Sequence, residues 1–359
     1  MRAPRHPLAQ LCLLAAGALV AGCGGDSDSG STTDAPAPAQ SHPAPPKSAF
    51  PTVEGRTLRE VLKAADAPTE LVVQPEAVVF HPGRNRYPFG IFDRDEGDVP
   101  DAEVALYIAK VPEATPGAKS KSGNRGQVSK AQAQALDQPA QGPFPASIES
   151  LATKPAFRGK TTSEDPDVAT VVYSTELNLP SEGEWRVAAI LREDGELQGA
   201  LLPGAAVVGE FQRVPKRGDR APVINTPTAQ DVDGNLSKIT TRVPPDTQNK
   251  VDYAEALGKE PIVLLFATPE FCQSRVCGPV VDVAEQAKQE YGDKAAFIHM
   301  EIYNQNDPDQ GVRPQVRAFR LPTEPYLFTI DRRGIVRETI EGAFGLKLMH
   351  EAVDKAIAR

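Results

Sequence analysis

Two of the 4 cysteines in this chain of 359 residues stand five positions apart, in the stretch Phe266-Ala-Thr-Pro-Glu-Phe-Cys272-Gln-Ser-Arg-Val-Cys277-Gly-Pro279. Thiols this close can exchange with a disulfide, close into a structural crosslink, or offer sulfur to a soft metal ion. Their surroundings bear on the choice. Pro261 to Ala267 is a short apolar run, β-branched at its start, which predicts a strand buried on both faces. Pro279 to Tyr291 carries apolar residues at Val280, Val283, Ala284 and Ala287, the spacing of an amphipathic helix. A thiol at that junction faces the helix N-terminus, whose unpaired N–H groups and dipole stabilise a thiolate. Ideal helix geometry holds residues five apart too far from each other to bond, so Cys272 must lie outside the helix if the pair closes.

The N-terminus speaks to the compartment. Arg2 and Arg5 precede a mostly apolar stretch from Leu8 through Val20, followed by Ala21-Gly22-Cys23. This is the pattern of a secretory signal, too short to span a bilayer as a helix. The small residues before Cys23 resemble a bacterial lipobox, which implies loss of residues 1–22, a diacylglyceryl group on Cys23 and a chain held at the extracytoplasmic face of the cell membrane. Cleavage removes Cys12 and the lipid occupies Cys23. Cys272 and Cys277 then remain in an oxidising compartment, where they are expected to be bonded to each other at rest.

A net charge of -9 with dispersed Lys and Arg argues against a nucleic-acid partner. The 34 prolines are too many for uniform packing, and residues 23–49, mostly Ser, Gly, Pro and Ala, read as a flexible tether. Residues 50–215 read as an all-β module. Its runs are Leu71–Gln74, Ala77–Phe80, Arg86–Asp93, Ala102–Lys110, Val168–Ser174, Glu184–Leu191 and Ala206–Val214, and they predict an immunoglobulin-like sandwich. In two of them Val104, Leu106 and Ile108, and Trp185, Val187, Ala189 and Leu191, point one way. The polar stretch 112–147 reads as a disordered insertion. Residues 216–260, with Gly218-Asp-Arg-Ala-Pro222 near their start, lead into the second module.

Beyond the cysteines the pattern predicts a strand at Ala295–Ile302, a helix at Gly311–Phe319, strands at Tyr326–Ile330 and Ile335–Ile340 joined through Asp331-Arg-Arg-Gly334, and a helix at Leu346–Ile357. The order is β-α-β-α-β-β-α, a mixed sheet covered on both faces. Phe266-Ala-Thr, the cysteines at the helix start, Leu321-Pro-Thr-Glu-Pro325, Gly334 and Glu341-Gly342 together make residues 216–359 resemble the thioredoxin-like superfamily, in its membrane-anchored extracytoplasmic branch. The resemblance implies an α/β thioredoxin-like domain, a cis bond before Pro325 packed near the cysteines, dithiol–disulfide exchange on envelope or secreted proteins that carry cysteines, and no cofactor.

The chain departs from that pattern in its cysteine spacing, four intervening residues rather than two. Counted back from Tyr291, Cys277 takes the place of the second, buried cysteine; read as Cys277-Gly-Pro-Val280, the motif instead has valine in its last place. Leu264 and Leu265 stand where the family keeps a buried acid, and Glu270 or Glu324 is the candidate substitute. Arg275 is the candidate cation beside the thiolate. Two other functions compete with exchange. A Sco-like copper site would use Cys272, Cys277 and His299, and a non-enzymatic envelope binder would keep the pair as a structural disulfide.

Overall fold

A computed structural model describes residues 39–95, 97–113, 130–164, 167–193, 195–272 and 274–358. The signal segment 1–22, Cys23 and most of the tether lie outside the described residues, as does the middle of the insertion. The described residues form one compact unit.

Its N-terminal part contains β1 (Ala67–Pro68), β2 (Val72–Pro75), β3 (Gly83–Phe92), β4 (Glu103–Lys110), β5 (Gln141–Pro145), β6 (Ser147–Ser150), β7 (Val171–Leu179), β8 (Gly183–Glu193), β9 (Glu196–Leu201) and β10 (Ala206–Val208), with short helices α1 (Leu58–Leu62), α2 (Lys130–Gln134) and α3 (Lys160–Ser163). One sheet runs β1-β9-β8-β4-β5 with β10 on β8, and the other runs β2-β3-β7-β6. They pack face to face. Val104, Leu106, Ile108, Val187, Ala189 and Leu191 of the first sheet share a core with Phe89, Ile91, Val171 and Tyr173 of the second. The reverse face of β4 and β8, through Ala105, Tyr107, Ala188 and Ile190, is covered by Phe50, Leu58 and Val61. Both strands are therefore buried on two sides, not only on the face to which the alternating residues point.

Three expectations need correction here. Ala77–Phe80 forms no strand apart from a single bridge at Phe80 to Val208. The end of the supposed insertion is ordered: residues 130–137 are helical, and β5 and β6 follow, with β5 paired to β4 through Leu106↔Phe144. Its Gln-Gly-Pro-Phe-Pro sequence falls in the stretch read as a disordered insertion, but an edge strand tolerates proline because one side of its backbone needs no partner. The end of the tether is also tied down, since His42 and Ile148 exchange both backbone hydrogen bonds at 2.9 Å.

The C-terminal part follows the expected order. It comprises α4 (Tyr253–Ala256), β11 (Ile262–Phe266), α5 (Cys277–Tyr291), β12 (Ala296–Met300), α6 (Pro314–Phe319), β13 (Tyr326–Ile330), β14 (Val336–Glu341) and α7 (Leu346–Ile357). The sheet order is β12-β11-β13-β14, parallel between β11 and β12 and antiparallel elsewhere. This agrees with the thioredoxin-like arrangement the resemblance implies. Val263 and Leu265 point toward α5 and α7, while Ile262, Leu264 and Phe266 point toward α4 and α6. Gly334 closes the β13–β14 hairpin at φ 76°, a conformation that favours glycine. Residues 218–221 add to that hairpin through Gly218 N–H to Val336 and Ala221 N–H to Gly334.

The two parts share side chains. Leu151, Ala169 and Val172 of the sandwich belong to the same core as Val280, Ala284 and Phe344. Arg86 on β3 is a half-buried guanidinium that donates to the carbonyls of Glu341 and Ala343, and the carboxylate of Glu341 accepts the N–H groups of Val78 and Val79.

Candidate functional site

β11 ends at Phe266, and a loop carries the chain to α5, whose first residue is Cys277. Cys277 is fully buried. Cys272, in the loop, is partly exposed. Both are thiols, not the bonded pair expected from the compartment. The backbone N–H of Cys277 donates to Cys272 Sγ at 3.2 Å, and the Ser274 hydroxyl lies 3.4 Å from the same sulfur. The helix N-terminus thus serves a sulfur outside the helix. Cys277 holds the first helical position with Val280 one turn later, as in the Cys-Gly-Pro-Val reading, yet in burial it matches the second cysteine.

The environments of the two sulfurs push their proton affinities apart. Burial raises Cys272, but hydrogen bonds from the Cys277 thiol, the Ser274 hydroxyl and the N–H groups of Cys277 and Val276 outweigh it and hold the thiol below its ordinary range. Burial pushes Cys277 well above that range, the hydrogen bond and charge of Cys272 add to it, and Glu324 contributes a further rise against a lowering by the Thr268 N–H.

The bond between Glu324 and Pro325 is cis, as the resemblance implies. The carbonyl of Pro325 accepts the N–H of Gly342 at 3.0 Å. Glu324 is the acid whose charge reaches Cys277, and it is itself raised by burial and by the charge of Glu301. Glu270 is exposed and joins the site only through its backbone, whose N–H donates to Thr241 Oγ1 at 3.2 Å. Arg275 faces Asp167 of the sandwich at 3.6 Å, so that carboxylate takes the cation expected beside the thiolate.

His299 does not join the cysteines. Its Nδ1 pairs with Asp246 at 2.8 Å and its Nε2 donates to the Ala267 carbonyl at 3.1 Å, so both ring nitrogens are occupied. Among the described residues no group of three His, Cys, Asp or Glu is placed to hold a metal. The ligand set Cys272, Cys277 and His299 is therefore not assembled. His299 is instead the centre of a buried polar floor supplied by residues 240–249, which the sequence reads only as a connection. Burial lowers the proton affinity of His299, but the Asp246 charge and hydrogen bond, with Glu301, carry it up to about 9. Asp246 is lowered to about 2, since the His299 contact and the donors Gln248 and Thr240 overcome its burial.

Sequence reasoning missed Glu301 and Tyr303. Glu301 is fully buried, and its Oε2 accepts the N–H and hydroxyl of Thr241 at 3.0 and 3.2 Å. Burial holds it above the usual carboxylate range. Tyr303 stacks edge-on to Phe271 with ring centroids 6.1 Å apart, and its phenol is raised by burial and by the charges of Glu324 and both cysteines. The one available signal was an acid between Met300 and Ile302 in an apolar run.

The sandwich braces the loop from the other side. Arg275 sits at φ 59°, and its carbonyl accepts the Ala169 N–H at 3.3 Å. Gly278 is required by contact: a Cβ there would lie 2.9 Å from Thr162 Oγ1 and 3.3 Å from the Thr161 carbonyl oxygen. Beneath these, Arg242 and Asp282 pair at 2.8 Å in a buried ion pair, with Asp282 also accepting the Gly159 N–H.

No family model matches the chain, and no curated protein matches it either. Among solved structures, it is similar to a thiol:disulfide interchange protein of the thioredoxin family from Chlorobium tepidum TLS, at 17% identity and a TM-score of 0.29, over 40% of this chain and 98% of that one. A likeness of that degree carries no argument about activity, which has to come from the residues.

Proposed function

We propose that this chain is a thiol-disulfide oxidoreductase, anchored through lipid on Cys23 at the extracytoplasmic face of the cell membrane, with residues 216–359 as the thioredoxin-like domain and 50–215 as an immunoglobulin-like one. The carrying observation is the split between the two sulfurs: a partly exposed thiol held toward the thiolate beside a buried thiol held protonated. From the reduced state the reaction balances as follows. The Cys272 thiolate attacks one sulfur of a client disulfide, the client S–S bond breaks, and the departing client thiolate takes a proton. Cys277 then gives its proton to Glu324 and attacks Cys272 Sγ, which releases the second client sulfur as a thiolate that takes the proton back from Glu324, and leaves a Cys272–Cys277 disulfide. The client gains two electrons and the protein loses two.

The Cys277→Ser chain tests this. It is expected to accumulate mixed disulfides with cysteine-bearing envelope proteins, which reducing agent releases, while Cys272→Ser accumulates none. Absence of any trapped species overturns the proposal. So does a pair that, once oxidised, resists reduction below about -300 mV, the range of structural disulfides.

A further inference from the structure

The two parts of the chain also meet behind the cis proline, where a side chain of the β13–β14 hairpin is held by the sandwich. Glu341 is the last residue of β14. Its Oε1 accepts the Val78 N–H at 2.9 Å and the Thr323 hydroxyl at 2.7 Å, and its Oε2 accepts the Val79 N–H at 3.0 Å. Three donors on two oxygens suit an ionised carboxylate, which only accepts. The next two residues continue the seam. Gly342 gives its N–H to the Pro325 carbonyl at 3.0 Å, and Ala343 gives its N–H to Glu76 Oε2 at 2.8 Å. The backbones touch here: a Cβ on Gly342, at φ 76°, would lie 2.9 Å from the Glu76 carbonyl oxygen. Glu324 therefore stands between two anchored neighbours, Thr323 through its side chain and Pro325 through its carbonyl.

We propose that Glu341 is a positioning residue for the exchange reaction: its carboxylate pins Thr323 to the Val78–Val79 backbone of the sandwich and so fixes Glu324 where it receives the Cys277 proton. The proposal rests on the exchange reading above. Two of the three donors on the carboxylate belong to the sandwich. A glutamate free to turn about its own stem would fix little by accepting one hydroxyl. Ordered beforehand by two backbone N–H groups, it offers Thr323 a fixed point, and the neighbouring Glu324 inherits that order. Attack by Cys272 on a client does not use Glu324. The clasp therefore acts on the second step, in which Cys277 loses its proton, and leaves the first step alone.

The test separates the two steps in the reduced full chain, in single turnover, with the mixed disulfide of mercaptoethanol and thionitrobenzoate. The Cys272 thiolate bonds the mercaptoethanol sulfur, the S–S bond breaks, and thionitrobenzoate leaves as a coloured thiolate. Cys277 then passes its proton to Glu324 and displaces mercaptoethanol from Cys272 as a thiolate, which takes that proton. Acid quench and intact mass follow the decay of the protein–mercaptoethanol disulfide. Thr323→Val is expected to slow this decay about tenfold, while colour release, corrected for that of Cys272→Ser, stays as in wild type. Thr323→Ser keeps the hydroxyl and is expected to decay as wild type does. Glu341→Gln, whose amide would turn a donor toward a backbone N–H, is expected to match Thr323→Val; should it fail to fold, the Thr323 variants decide. In the Glu324→Gln background, Thr323→Val is expected to slow decay no further, because its effect runs through Glu324. Wild-type decay in Thr323→Val, a Thr323→Ser chain as slow as Thr323→Val, or an undiminished further loss in the double variant overturns the positioning role while leaving exchange intact. A wild-type chain that releases no more thionitrobenzoate than Cys272→Ser overturns exchange, and the positioning role with it.

Discussion

Asp246→Asn tests whether the floor of the site is a charged pair. Asp246 and His299 meet at 2.8 Å with both side chains fully buried. The shift of His299 from 6.5 to about 9 corresponds to about 3 kcal/mol at roughly 1.36 kcal/mol per unit. Seen from the other end, the shift of Asp246 from 3.8 to about 2 corresponds to about 2 kcal/mol for the same contact. The two describe one interaction and are not added. We take about 2–3 kcal/mol, below the roughly 3–5 kcal/mol for stranding a buried charge, because His299 can discharge when its partner is gone. The signs give a window. His299 is raised, so its contribution is full below its ordinary 6.5 and is lost as pH climbs through about 9. Asp246 is lowered, so its contribution is full above its ordinary 3.8 and is lost as pH falls through about 2. Wild-type stability from this pair should therefore be level between about pH 4 and 6.5 and decline on both sides. Urea unfolding at about pH 5, 7 and 9.5 measures it. Asp246→Asn should lower stability most at the first and least at the last. A variant whose loss is the same at all three values refutes the charged pair.

Two further expectations follow from the same contacts. Glu324→Gln should lengthen the life of the mixed disulfide by about 100-fold if the carboxylate accepts the Cys277 proton, measured by rapid-quench trapping; a carboxylate acting through charge alone would give the opposite, since its removal eases ionisation of Cys277. Gly345→Ala should cost about 1–3 kcal/mol in thermal unfolding, because a Cβ there overlaps the Ser150 carbonyl oxygen of the sandwich. A wild-type melting temperature would show that the two parts do not pack as described.

The C-terminal part was legible because its signals are local. A continuous apolar run such as Ile262–Phe266 has few alternatives to a buried strand, and Gly334 and Pro325 mark backbone conformations that few other residues adopt. The polar floor was not legible. Thr240, Asp246 and Gln248 have the composition of a linker, and only the fold reveals that His299 and Glu301 stand opposite them. The same holds for β5: its prolines and glycine are turn signals in sequence, and pairing to β4 overrides them because the opposite edge carries no strand.

The cysteine spacing, which argues against exchange when the C-terminal part is read alone, has a structural counterpart in the sandwich. Two extra residues lengthen the loop before α5, and an unsupported loop would let Cys272 wander from the helix N-terminus that lowers its proton affinity. The contacts from Ala169 and Asp167 to Arg275, and of Thr161 and Thr162 against Gly278, hold both ends of the last stretch between Arg275 and the helix. A short cysteine motif is positioned by the helix that contains it. Here Cys272 is outside the helix, and the groups that fix the backbone behind it come from the sandwich. Substitutions in residues 161–169 therefore act on the geometry of Cys272 without touching either sulfur.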